Sequence, residues 1–220
     1  MTVDWHPLLL SIRVSLIATA LVALAGIPAG FALARGRVPG RRLLEALASL
    51  PIVLPPTVLG YYLLVVLGRN SPLGQAYETV LGRPLVFTVE GAIVAASVAS
   101  FPFCLRTARA AISDVDPRYE QAARSMGMPE WRVALRVTLP LARRGIAAGV
   151  ALAFARALGD FGTTVMVAGN IPGRTQTAPI AIYDSVQAGD DGAALTLAII
   201  LSVVAVTVLL AVGLLERRVW

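Results

Sequence analysis

Lysine is absent from the 220 residues: every one of the 19 basic side chains is arginine. That excludes the P-loop pattern, whose lysine reaches the phosphates of a bound nucleotide, so any ATP hydrolysis is expected on a separate polypeptide. Cys104 is the single cysteine and His6 the single histidine. One cysteine rules out an internal disulfide. One of each also leaves no metal-ligand cluster, and a Ser/His/Asp triad would have to be built on a histidine at the extreme N-terminus. Cys104 reads as a small buried hydrophobe. No nucleophile–base pairing, cofactor fingerprint or metal spacing is present, so the chain is not expected to be an enzyme or to hold a cofactor or metal. The net charge of +6 would suit nucleic acid, but the arginines are separated by apolar runs of about 20 residues, which points to membrane topology and not to nucleic acid.

What the chain has in quantity is apolar sequence. It is 57% hydrophobic, with a mean hydropathy of +0.75, against roughly 45–50% apolar residues in soluble domains. The reading is an all-α polytopic protein in one membrane domain, 8–215, with five spans at 8–33, 44–67, 85–105, 141–168 and 193–215. The N-terminus carries Asp4 and no basic region, so its apolar run is expected to be a span and not a cleaved signal. Arg13 near the start of that span is placed to snorkel to the headgroups. Gly26 with Gly30, and Gly145 with Gly149, give the small-xxx-small spacing of close helix contacts. The amphipathic piece from Ala178 to Val186 is too short to cross and reads as a re-entrant or surface helix.

Two spans carry unusual residues. The second contains Pro51, Pro55 and Pro56, each lacking an N–H, so it should be bent or broken. Either it lines a pathway with its freed carbonyls, or its neighbours absorb the kink. In the fourth span Arg156 and Asp160 sit one turn apart near the midplane, where charges pair or face water. They line the path or its gate, or form a self-neutralising pair between helices. Thr163 and Thr164 follow, with hydroxyls for a pathway or for their own backbone carbonyls.

The arginines set the expected orientation, because cytoplasmic loops hold an excess of basic residues. Arg35, Arg37, Arg41 and Arg42 follow the first span, eight arginines lie between 106 and 144, and Arg217 and Arg218 end the chain. Arg69, Arg83 and Arg174 fall on the opposite side. Five crossings with the N-terminus outside and the C-terminus cytoplasmic satisfy the rule.

The most informative stretch is Pro117 to Pro140, PRYEQAARSMGMPEWRVALRVTLP. Asp116 is placed to cap a helix that starts at Pro117 and ends at Gly127. Tyr119, Ala122, Ala123 and Met126 recur at helical spacing and predict one small apolar face, edged by Arg118, Gln121 and Arg124. Such a face is stable when docked in a groove, and Glu120 near the helix start adds about 0.3–1 kcal/mol through the dipole. Pro129 and Glu130 open a second helix that Pro140 is expected to stop. An ordinary amphipathic loop would show the same local pattern. The spacing of Ala122-Ala123, Gly127, Val137 and Leu139-Pro140 resembles the signature loop of ABC importer permeases, with Gln121 in the glutamate slot, Glu120 one residue early and Val137 in the isoleucine slot. The resemblance implies a type I ABC importer permease fold. It also implies that 113–140 is a coupling loop whose helix docks on an ATP-binding subunit through Tyr119, Glu120, Ala122, Ala123 and Gly127.

Gly159 to Gly162, and the run from Asn170 to Thr177, NIPGRTQT, look like the molybdate branch of those permeases, with Asp160 where a glutamate is expected. That resemblance implies a homodimeric pore in the cell membrane, fed by an outer oxyanion-binding protein and worked by ATPase subunits. Pro55, Pro56, Arg156, Asp160, Thr163 and Thr164 are then the pathway or gate candidates. Sulfate and thiosulfate permeases are similar in the same region and give the alternative substrate. An ion-coupled transporter using Arg156 and Asp160 is the alternative mechanism.

Overall fold

The computed structural model describes residues 4–36 and 38–217, with side chains described up to 211 and at 213. Arg37 and Arg218 lie outside the described residues, and the Arg217 side chain is likewise not described. Every regular element among the described residues is helical.

Two long helices, α1 (His6–Arg35) and α5 (Val89–Ser113), run parallel and form the spine of the bundle. At one end Leu10 and Val14 share a buried cluster with Ala92 and Ala96, and at the other Gly30 meets the backbone of Arg109. A Cβ added at Gly30 would stand 3.1 Å from the Arg109 amide nitrogen. The helix α8 (Leu139–Leu158) packs antiparallel on α5 through the second glycine pair. Added Cβ atoms at Gly145 and Gly149 would fall 2.5 Å from Ala111 Cβ and 2.9 Å from Thr107 Cβ. Both small-residue spacings therefore mark close helix contacts, where packing and not hydrophobicity drives association.

The proline-rich span is broken as expected. Its halves, α2 (Arg41–Val53) and α3 (Pro56–Leu67), meet at a bend of 116°. Pro51 stays inside α2, and the break falls at Leu54 and Pro55, where Pro55 is the N-cap residue of α3. Glu45 of α2 pairs with Arg109 near the end of α5, whereas Leu67 of α3 packs with Val86 and Ala95 near its start. The pair thus traverses the bundle, which gives four long apolar helices and a fifth span if the bent pair is counted.

Three features differ from the sequence reading. The stretch 68–84 holds a helix, α4 (Pro72–Leu81), capped by Ser71 Oγ accepting from Gly74 N at 2.9 Å. The stretch 113–140 holds α6 (Pro117–Ser125) and α7 (Glu130–Val133). Pro140 does not stop the second of these: α7 runs through a π-helical turn at Ala134–Thr138 into α8. Proline removes one i→i−4 bond, and a wider turn is one way to accommodate that loss inside a helix. Finally, 141–168 is not one helix, because α8 ends at Leu158 and a short α9 (Gly162–Ala168) begins after Gly159, Asp160 and Phe161.

The piece at 178 is a helix too short to cross, α10 (Ala178–Gln187), as expected. Ala178 N donates to Ser11 Oγ at 2.7 Å, fastening it to α1. The last helix, α11 (Asp191–Arg217), packs beside it through Leu197.

Candidate functional site

The stretch 113–140 is built from local caps. Asp116 accepts from Arg118 N at 2.9 Å, and Pro117 begins α6. Gly127, at φ +81°, closes it: its N–H donates to Arg124 O at 2.9 Å, and Met128 N donates to Ala123 O at 3.2 Å. That pair of bonds is the Schellman closure, which needs a left-handed residue.

The apolar face predicted for α6 is divided. Tyr119 (60% exposed) and Met126 (72%) point away from the chain with Ala122, whereas Ala123 is 2% exposed and packs inward. Glu120 is inward too, at 3% exposure. Arg35 Nε stands 2.9 Å from Glu120 Oε1 and Thr138 Oγ1 donates to the same oxygen at 2.8 Å, while Arg35 Nη2 also donates to Val115 O at 2.7 Å. Of the five residues expected at a docking helix, Ala123 and Glu120 are thus turned into the chain, because a carboxylate with two such donors is held where they are. These bonds tie α6 to the end of α1 and to the π-helical turn. Outside, Arg124 bonds Glu130 at 2.7 Å, and this hydrogen bond raises the arginine pKa further above its ordinary value. Trp131 and Leu135 extend the exposed apolar surface beyond α6.

The second candidate group lies where both broken spans meet. A Cβ on Gly162 would stand 2.8 Å from Pro56 Cβ, so the starts of α3 and α9 touch. Beside them is a cavity of about 500 Å³ lined by Pro51, Pro56, Phe103, Arg156, Asp160 and Gly162 among others. Arg156 Nη1 is 2.9 Å from Asp160 Oδ1. The other carboxylate oxygen accepts from Thr164 N at 3.0 Å and Thr164 Oγ1 at 2.7 Å. Asp160, 2% exposed, therefore both neutralises Arg156 and holds the start of α9. Of the pathway candidates, Pro56, Arg156 and Asp160 reach the cavity, and Pro55 marks the break. Thr163 and Thr164 are packed away at 0% and 1% exposure, and Thr164 bonds Asp160, not its own helix carbonyls.

The run 170–177 folds as a loop at the same end as the start of α1. Gln176 Nε2 donates to Asn170 Oδ1 at 2.9 Å and to Asp184 Oδ2 at 3.1 Å, joining the loop to α10. Also at that end, Arg69, Arg83 and Arg174 line one cavity of about 790 Å³. Among the described residues no group of His, Cys, Asp and Glu has the arrangement of a metal site.

Four long apolar helices, with a bent pair that makes a fifth span and a cavity where that pair meets α8 and α9, define a multi-span membrane protein. The chain belongs to the family described as binding-protein-dependent transport system inner membrane component, which it matches over residues 26–220. The molybdenum transport system permease protein ModB of Escherichia coli (strain K12) is 44% identical over 193 residues, covering 87% of this chain and 84% of that protein. A putative molybdenum transport system permease protein, YvgM of Bacillus subtilis (strain 168), is 40% identical over 84% of this chain and 82% of its own length. A probable sulfate transport system permease protein, cysT of Chlorokybus atmophyticus, is 36% identical over 88% and 68%.

Among solved structures, the MetNI methionine ABC transporter in an inward-facing conformation superposes with a TM-score of 0.77 at 17% identity, covering 99% of this chain and 96% of that one. A bacterial ABC transporter involved in alginate import gives 0.64 at 18%, covering 96% and 79%. At these identities the likeness is one of fold, and it bears out the type I ABC importer permease fold.

Proposed function

We propose that this chain is the membrane-spanning subunit of an ATP-driven importer that carries molybdate, with the isosteric tungstate as a second cargo. The observation that carries the reading is the 44% identity to a molybdenum permease across 87% of the chain. Sulfate relatives stand lower, at 36% and 33%. Membership of a binding-protein-dependent family also favours an ABC importer over ion coupling.

In this reading the arginine-rich end is cytoplasmic, the N-terminus is outside and the C-terminus inside. A separate ATPase subunit receives Tyr119, Ala122 and Met126 in a cleft, and Gly127 sets the angle at which α6 is presented. Glu120 and Ala123 pass that motion to α1 and α8 instead of touching the partner. Two copies of the chain enclose the pore, and an outer binding protein delivers the oxyanion. The cavity at Pro56, Arg156 and Asp160 lies on the path. Because Asp160 neutralises Arg156, no free cation there would trap a dianion, and a weak site suits conduction. Selectivity then resides in the binding protein.

Uptake of radiolabelled molybdate tests this in cells that lack their own molybdate importer and carry the permease with its ATPase and binding-protein subunits. Molybdate uptake competed by tungstate and not by sulfate is expected. Uptake of sulfate without molybdate would move the chain to the sulfate reading, and no oxyanion uptake would overturn both.

A further inference from the structure

We propose that the cavity walled by Arg69, Arg83 and Arg174 is a capture basin for a tetrahedral oxyanion, gathering the dianion at the outer end of the chain before it enters the pore. This rests on the reading of the chain as an oxyanion permease with that end outside. The basin, of about 790 Å³, is formed by the end of α3 and three loops, with Leu64, Val86 and Phe87 among its apolar walls. Three guanidinium groups line it, and none of the described residues lining it is acidic. Arg69 and Arg83 each reach one carboxylate outside the lining, Glu78 and Glu90, through a single Nη2. Arg174 has no acidic partner among the described residues. A cleft with one sign of charge on low-dielectric walls focuses its field and concentrates the opposite ion.

The wall is held in shape. Phe87 adopts φ +60°, a left-handed backbone that a bulky residue rarely takes, and its N–H donates to Val167 O at 2.9 Å. Its ring faces Gly169, where an added Cβ would stand 3.0 Å from ring carbon Cδ1. The 83–88 loop is thereby fixed on the end of α9, from which the 170–177 loop carrying Arg174 departs. The basin also stands at the far end of a helix that frames the pore cavity. Thr57, which lines the pore cavity, and Leu64, which lines the basin, are seven residues apart and so share one face of α3, about 10 Å along it. The pore cavity itself has no net attraction for a dianion, since Asp160 balances Arg156. The unbalanced Arg174 supplies the attraction that the pore lacks.

Crystals of the permease assembled with its ATPase subunits, soaked in tungstate or in selenate without binding protein, test the proposal, because both anions scatter anomalously. A peak of either anion beside Arg174 is expected in the wild type, none in R174Q, and a peak again in R174K, which restores the charge. With saturating binding protein, uptake of whichever oxyanion is carried should fall about tenfold in R174Q, the low end of what such a basin supplies, and recover in R174K. The affinity of the complex for its binding protein should stay unchanged. No peak in the wild type would overturn the proposal. A peak with wild-type uptake by R174Q would mark an adventitious ion only and overturn it as well. Loss of binding-protein affinity in R174Q would overturn it by assigning the arginines to an acidic surface of that protein. Selenate stands in for sulfate, so a permease that carries sulfate and not molybdate would still show the peak and its loss in R174Q; the basin and the molybdate reading can therefore fail separately.

Discussion

The Nε of Arg35, in the last turn of α1, lies 2.9 Å from Oε1 of Glu120, in the first turn of α6 and 85 residues away. The same carboxylate oxygen accepts from Thr138 at the entrance to α8, so one buried group joins α1, α6 and the start of α8. Removing it should separate stability from coupling. Glu120→Ala leaves a partly buried guanidinium without its partner and is expected to cost about 2–3 kcal/mol. Glu120→Gln keeps an acceptor for both donors and should cost less. Thermal unfolding of the two variants beside wild type measures the difference; equal midpoints for all three would show that the network contributes nothing.

Gly127 tests the shape of the loop. A Cβ there meets nothing within 4 Å, so the effect of substitution is purely conformational. Gly127→Ala is expected to cost about 1–2 kcal/mol for a left-handed residue, and Gly127→Asn less. Gly127→Pro cannot adopt φ +81° and loses the bond to Arg124 O, so it should abolish ATPase-driven transport while membrane insertion persists. Transport assays with an insertion control report this; normal transport by the proline variant would remove the docking reading.

Asp160 and Arg156 should behave as a unit. Asp160→Asn leaves Arg156 without a counter-charge at the cavity, an effect of about 3 kcal/mol for a broken buried pair. The double variant Asp160→Asn with Arg156→Gln should recover assembly, since both charges are gone. A double-mutant cycle on the yield of assembled complex checks this, and strictly additive losses would show the two charges to be independent.

Tyr119 and Met126 make the opposite prediction. Both are exposed, so alanine at either should change permease stability by no more than about 0.5 kcal/mol. Co-purification of the ATPase subunit should nevertheless fall sharply. Unchanged co-purification would place the docking surface elsewhere.

Much of this was legible in the sequence because it is local. Asp116, Pro117 and Gly127 form the caps their chemistry implies, the proline cluster breaks the second span, and the glycine pairs mark close helix contacts. Ala178 to Val186 is visibly too short to cross from its sequence alone, and α10 is. The break at Asp160 has no local signal, since an acid one turn after an arginine looks like a helical pair; only its bonds to Thr164 show that it starts a new helix. The inward turn of Glu120 had no local signal either, because the donor that draws it in comes from the end of α1. Pro140 misled for a related reason: the continuation through a π-helical turn depends on how α7 enters α8, which the residue itself does not encode.

The most direct test of the central claim is the ATPase rate of the permease reconstituted with its ATPase subunits and an outer binding protein loaded in turn with molybdate, tungstate and sulfate. Stimulation by the molybdate- and tungstate-loaded forms, and none by the sulfate-loaded form, is the predicted result. Stimulation by the sulfate-loaded form alone, or no response to any loaded binding protein, would contradict it.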